Sequence, residues 1–133
     1  MTRGKPKDAQ KEIARLVSVF RENVIAQTDA IGNEGRSGNV FAGKRTRAFA
    51  KLREQFGDSG RDALAVLMTD VRPDVRVTAA VYMLRYRHQE AIAVLRKAAA
   101  KESMVGFEAG EAIKRWNEGV WSVDPETWSG PEA

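Results

Sequence analysis

The segment Gly38-Asn-Val-Phe-Ala-Gly43-Lys44 matches the first seven positions of a phosphate-binding loop, in which backbone amides wrap a phosphate and the lysine reaches its oxygens. The next position requires Ser or Thr to hold magnesium, and Arg45 stands there instead. No strand pattern precedes the segment, so no strand-to-helix turn exists for its amides to line. It reads as a flexible helix start rather than a nucleotide site. His88 is the single histidine and there is no cysteine, which removes thiolate chemistry and leaves no zinc-ligand spacing. A capping or solvated role therefore suits His88 better than metal ligation. Glu108, Glu111, Lys114 and Arg115 are spaced for ion pairs along an exposed helix face. Acid–base catalysis by paired carboxylates needs a partly desolvated cleft instead. Trp116 falls on a core-facing helix position, while Trp121 and Trp128 follow the last predicted helix. These constellations point to no catalytic residue, no metal ligand and no cofactor, so the chain is expected not to be an enzyme.

The cations carry more information. Lys44, Arg47 and Lys51 stand at i, i+3 and i+7 on the side of a predicted helix away from its apolar stripe, with Arg36, Arg45 and Arg53 nearby. Such a stripe is either a solvated face or an electrostatic docking surface. Residues 36–101 hold fourteen basic and six acidic side chains, whereas residues 102–133 hold two and seven, so a middle of +8 is followed by a tail of −5. A basic middle suits an acidic protein surface or nucleic acid, while the acidic tail argues against a uniform cationic sheath. Another protein with an acidic surface is the expected partner, and nucleic acid is the alternative.

Helical periodicity positions these groups. No stretch alternates apolar and polar residues for long, and the aliphatic residues recur at helical spacing. The first predicted helix spans Asp8 to Thr28, with Leu16, Phe20 and Val24 on its stripe. A glycine-rich loop follows. The second, Asn39 to Phe56, is expected to bury Phe41, Ala48, Phe49, Leu52 and Phe56 and to stop at Gly57. Ser59 and Asp62 resemble a capping box for a third carrying Leu64, Leu67 and Met68. Pro73 opens a fourth that runs to Arg87. A fifth covers Gln89 to Lys101, and a sixth Ser103 to Trp116, closed by Gly119. Valines, tyrosines and leucines ring the fourth helix nearly all round, so it must be covered on both sides, whereas the sixth has a largely polar outer face at Phe107, Glu111 and Lys114.

Asp62-Ala-Leu-Ala-Val-Leu67 recurs as Glu90-Ala-Ile-Ala-Val-Leu95. A two-helix unit of this period implies stacked hairpins that bury their apolar faces against one another. The stretch Leu64-Ala-Val-Leu-Met-Thr-Asp70, Pro73-Asp-Val75-Arg76, Ala79-Ala80 and Met83 resembles the HEAT-repeat pattern. The span from Leu16 to Trp121 also resembles a small bacterial family known only as domain of unknown function two-thousand-nineteen, whose ending would here be Gly119-Val120-Trp121. The second repeat departs from the pattern, with Gly106 where Arg76 would recur.

The resemblance implies an all-α, short right-handed solenoid of about three stacked helical hairpins, HEAT- or armadillo-like, with no known activity. It also implies that Arg76 holds its turn by pairing with Asp70 or Asp74, and that Trp121 packs. The expected organisation is a flexible basic amino-terminus over residues 1–7, the repeat domain over 8–121 and a partly disordered tail over 122–133. The candidate partner-binding residues are Arg36, Lys44, Arg47 and Lys51, together with Thr78, Val81 and Arg85 on the concave side. No apolar run approaches a membrane span of roughly 20 residues, and residues 1–10 carry no secretory pattern. The expected setting is thus a bacterial cytoplasm without membrane attachment. The expected function is protein binding, in its narrowest form an immunity-type protein that neutralises a toxin.

Overall fold

A computed structural model describes residues 6–30 and 38–124, and the expected all-α class holds, with no strand among the described residues. Five α-helices follow one another: α1 (Pro6–Ala30), α2 (Gly38–Ala65), α3 (Pro73–Met83), α4 (His88–Ala99) and α5 (Met104–Asn117), with one turn of 3-10 helix at Val66–Thr69 after α2. α1 begins at Pro6, inside the amino-terminal stretch expected to be flexible, because proline is pre-set for a first helical turn. Arg36 and Trp128 lie outside the described residues. Packing divides the chain into two units, Met1–Leu67 and Met68–Ala133.

In the first unit α1 packs on α2. Leu16, Phe20 and Val24 on one side and Ala48, Phe49 and Leu52 on the other are buried, as the apolar stripes require. Arg45 hydrogen-bonds Gln27 near the end of α1, while Glu12 near its start feels the charge of Lys51, so the two helices run antiparallel. The expected stop at Gly57 takes the form of a break inside α2. Gly57 has φ 56 and ψ −132, outside the helical region, and helical backbone resumes directly after it, ahead of the Ser59 start that was expected. Phe56 is only half-buried, because it lines an open apolar groove of about 1030 Å³ with Ile13, Val17 and Val66.

In the second unit α3 packs on α4 and α5, and α4 packs on α5. Val75, Val77, Ala79, Ala80, Tyr82 and Met83 are all buried, which places cover on both faces of α3 as its composition demands. α3 ends at Met83 rather than at Arg87. His88 Nδ1 donates to the Leu84 carbonyl at 3.0 Å, taking the acceptor that a continuing helix would offer to the residue-88 amide. Ser103 caps α5 by accepting from the Gly106 amide at 2.9 Å. At the other end Gly119 has φ 78, its amide bonds Trp116 O at 3.1 Å, and the Val120 amide bonds Arg115 O at 3.0 Å, which is the paired closure of a Schellman motif.

The two copies of the sequence repeat share the burial of their large aliphatic pair but not of the residues between, where Ala65 is buried and Ala93 exposed. Leu64 and Ile92 correspond and are buried, as are Leu67 and Leu95, while Asp62 and Glu90 are both exposed. Their backbones differ. The first copy spans the end of α2 and the 3-10 turn, and the second lies wholly in α4.

Beyond α5, Trp121 and Asp124 contact their own unit. The Trp121 indole donates to Val81 O at 2.8 Å, its ring meets Trp116 edge-on at 5.1 Å, and Trp116 in turn lies 5.3 Å from the His88 ring. Asp124 is fully buried, with Arg85 Nη2 3.6 Å from its carboxylate. Trp121→Phe keeps an aromatic body but deletes the donor to Val81, so it is expected to cost about 1 kcal/mol in urea unfolding. An unchanged midpoint would show that water replaces the bond without loss.

Candidate docking surface

On α2 the core-facing residues fix the phase of the rest. With Ala48, Phe49 and Leu52 turned inward, Lys44, Arg47 and Lys51 fall within roughly 60° of one another at about 100° per residue, on the flank of α2 that borders α1. All three are exposed, and none makes a hydrogen bond or salt bridge with another described residue. α1 adds a fourth cation, Arg15. Together these four line a hollow of about 180 Å³ whose other lining residues are Leu16, Val19 and Ala48. Among the described residues that line it, none is acidic.

Glu12 stands beside the hollow and anchors one bank. Its carboxylate takes Arg15 Nε at 2.9 Å and Nη2 at 2.7 Å. The Arg15 hydrogen bond, with the charges of Arg15 and Lys51, holds the Glu12 carboxyl below the usual carboxylate range despite an opposing desolvation. The same bond and the Glu12 charge raise Arg15. Arg15 is the member that sequence reasoning missed. Its i, i+3 pairing with Glu12 is visible in the sequence, but its neighbourhood with Lys44, Arg47 and Lys51 depends on how α1 lies against α2.

The second set of expected partner-binding residues lies on α3 and the turn after it. Thr78 Oγ1 donates to Asp74 O at 2.9 Å, the Val81 carbonyl accepts the Trp121 indole, and Arg85 faces Asp124. The structure thus places the chain's own residues 121–124 against Val81 and Arg85. Arg76 bonds the carbonyls of Asp70 at 2.9 Å and Val71 at 3.2 Å, and so ties down the turn through backbone. The expected carboxylate pairing is replaced because both acids engage Arg72. Asp70 Oδ1 accepts the Arg72 amide at 3.0 Å. Asp74 takes the Arg72 guanidinium on both oxygens, at 3.0 and 2.9 Å, a planar fork that suits a largely buried carboxylate.

Among the described residues no group of three or more His, Cys, Asp or Glu side chains is arranged to hold a metal ion, and no helix is long and apolar enough to cross a membrane. Compared with family models, curated proteins and solved structures, the chain matches none of them.

Proposed function

We propose that this chain is a non-enzymatic binding module that docks an acidic protein surface on the cationic face shared by α1 and α2. The observation that carries this is the hollow itself: Arg15, Lys44, Arg47 and Lys51 bordering one concavity floored by Leu16, Val19 and Ala48. Lys44, Arg47 and Lys51 are the cations of this rim that Glu12 does not hold, as it holds Arg15. Exposed cations raise the encounter rate with an oppositely charged surface, while an apolar floor gives a side chain something to bury once encounter has occurred. A phosphodiester backbone has charge for the rim but nothing apolar for the floor, which favours protein over nucleic acid. A HEAT-like stack of hairpins belongs to the same proposal, supported by the matched burial of Leu64 with Ile92 and of Leu67 with Leu95. Its narrower form is an immunity-type protein of the bacterial cytoplasm whose acidic partner is a toxin, and the neighbouring genes test that form.

The triple variant Lys44→Glu, Arg47→Glu, Lys51→Glu removes no core contact. Its unfolding free energy is expected to stay within about 0.5 kcal/mol of the parent chain, while capture of a partner from the source lysate falls through a slower on-rate. Duplex DNA is expected to be shifted by neither protein. A parent chain that shifts duplex with steep salt dependence, and loses this in the variant, would hand the surface to nucleic acid. A variant that keeps both its stability and every captured partner would reduce the stripe to a solvated face.

A further inference from the structure

We infer that the occupant of the cationic hollow is an acidic amphipathic helix of the partner, carrying carboxylates at three- and four-residue steps around one aliphatic side chain. This rests on the protein-docking proposal and specifies the partner's chemistry.

The steps come from the lysines and the arginine. Lys44, Arg47 and Lys51 all lie in α2, so at about 1.5 Å of rise per residue they stand roughly 4.5 and 6 Å apart along its axis. A helix carrying Glu or Asp at i, i+3 and i+7, or at i, i+4 and i+7 when it runs the other way, repeats that spacing. Its carboxylates then meet the three cations in register, as (i, i+3) and (i, i+4) neighbours do within one helix. Arg15, across the hollow on α1, borders the far side of such a ligand.

The floor supplies the second requirement. Leu16 and Ala48 close the floor from beneath at 2% and 3% exposure, so the apolar surface left open is that of half-buried Val19 and of the aliphatic stems of the bordering lysines and arginines. A hollow of about 180 Å³ takes one branched aliphatic side chain. On an acidic helix that residue sits on the same face, between the carboxylates. A flexible acidic tail has the charge but pays ordering entropy on docking, and a duplex has no aliphatic group to offer the floor.

One rim cation already takes a carboxylate within α1. Glu12 is a helix-borne carboxylate, and it holds Arg15 through two hydrogen bonds while lying in the field of Lys51. A carboxylate presented by a helix therefore already pairs with one of the four cations, Arg15, on its own helix.

The test uses the full chain and three labelled probes of equal charge, read by fluorescence anisotropy between low and moderate salt. The first is a helical peptide with Glu at i, i+4 and i+7 and one Leu on that face. The second has the same composition, with those Glu residues redistributed around the helix. The third replaces the Leu of the first with Ser. The matched peptide is expected to bind at least about tenfold more tightly than the redistributed one, since three exposed charge pairs together are worth that much. The Ser peptide is expected to be several-fold weaker than the matched one, and Arg47→Ala in the protein, which removes one of the three pairs, should weaken the matched peptide by roughly twofold. Equal affinity for the matched and redistributed peptides would overturn the helix register, as would failure of all three to bind, and either result leaves the docking proposal to stand or fall on the lysate capture. Equal binding of the Leu and Ser peptides would overturn the seated aliphatic residue. A DNA duplex that outcompetes the matched peptide would overturn both this inference and the choice of a protein partner.

Discussion

Phe20→Ala is expected to destabilise the first unit by about 3–5 kcal/mol, the range for truncating a buried aromatic ring. Phe20 is fully buried, and Leu16, Val24, Phe49 and Leu52 of the same unit are each at most 3% exposed. These side chains come from two helices whose packing on one another supplies the core of this unit, so a cavity there has little freedom to collapse. Ser18→Ala, at an exposed position of the same helix, is expected to change stability by less than about 0.5 kcal/mol. Chemical denaturation of both variants checks the pair. Comparable losses would show that α1 presents a different face to α2 from the one described.

Gly106→Ala is expected to destabilise by about 1–3 kcal/mol or more, although alanine is the better helix former by about 1 kcal/mol. A Cβ on Gly106 would stand 2.1 Å from the Lys101 carbonyl oxygen and 2.8 Å from that of Ala98. Both obstacles are backbone, so relief requires the first turn of α5 to lift from the end of α4 and strains the bond between Ser103 and the Gly106 amide. A Cβ on Gly110, one turn further along α5, would meet no group outside its own helical turn within 4 Å. Gly110→Ala should therefore show the propensity gain alone, about 0.5–1 kcal/mol of added stability. Opposite signs at two glycines of one helix separate crowding from propensity, and a stabilising Gly106→Ala would contradict the close approach of α4 and α5. The same crowding explains why the second repeat cannot carry an arginine where the first carries Arg76.

What the sequence determined by itself is local. The apolar stripes of α1 and α2 set which residues enter the core, because a helix repeats every 3.6 residues whatever lies opposite. Pro73, Ser103 and Gly119 marked helix ends through backbone chemistry that each residue carries with it, and Gly57 marked a break for the same reason. The cationic stripe of Lys44, Arg47 and Lys51 followed from the same periodicity. What only the tertiary structure decided is which groups meet across elements. Helical phase gives a side chain its angle about its own axis but not the identity of the neighbouring face, so Arg15 could not be assigned to the hollow until α1 lay antiparallel to α2. Arg76 was placed correctly at its turn, yet its partners were backbone carbonyls, because Arg72 engages both nearby carboxylates and a sequence with several equivalent charges does not rank their pairings. Trp121 and Asp124 show the same limit at longer range. Their contacts with Val81 and Arg85 join residues about forty apart, and burial of a polar group depends on partners that no local pattern names.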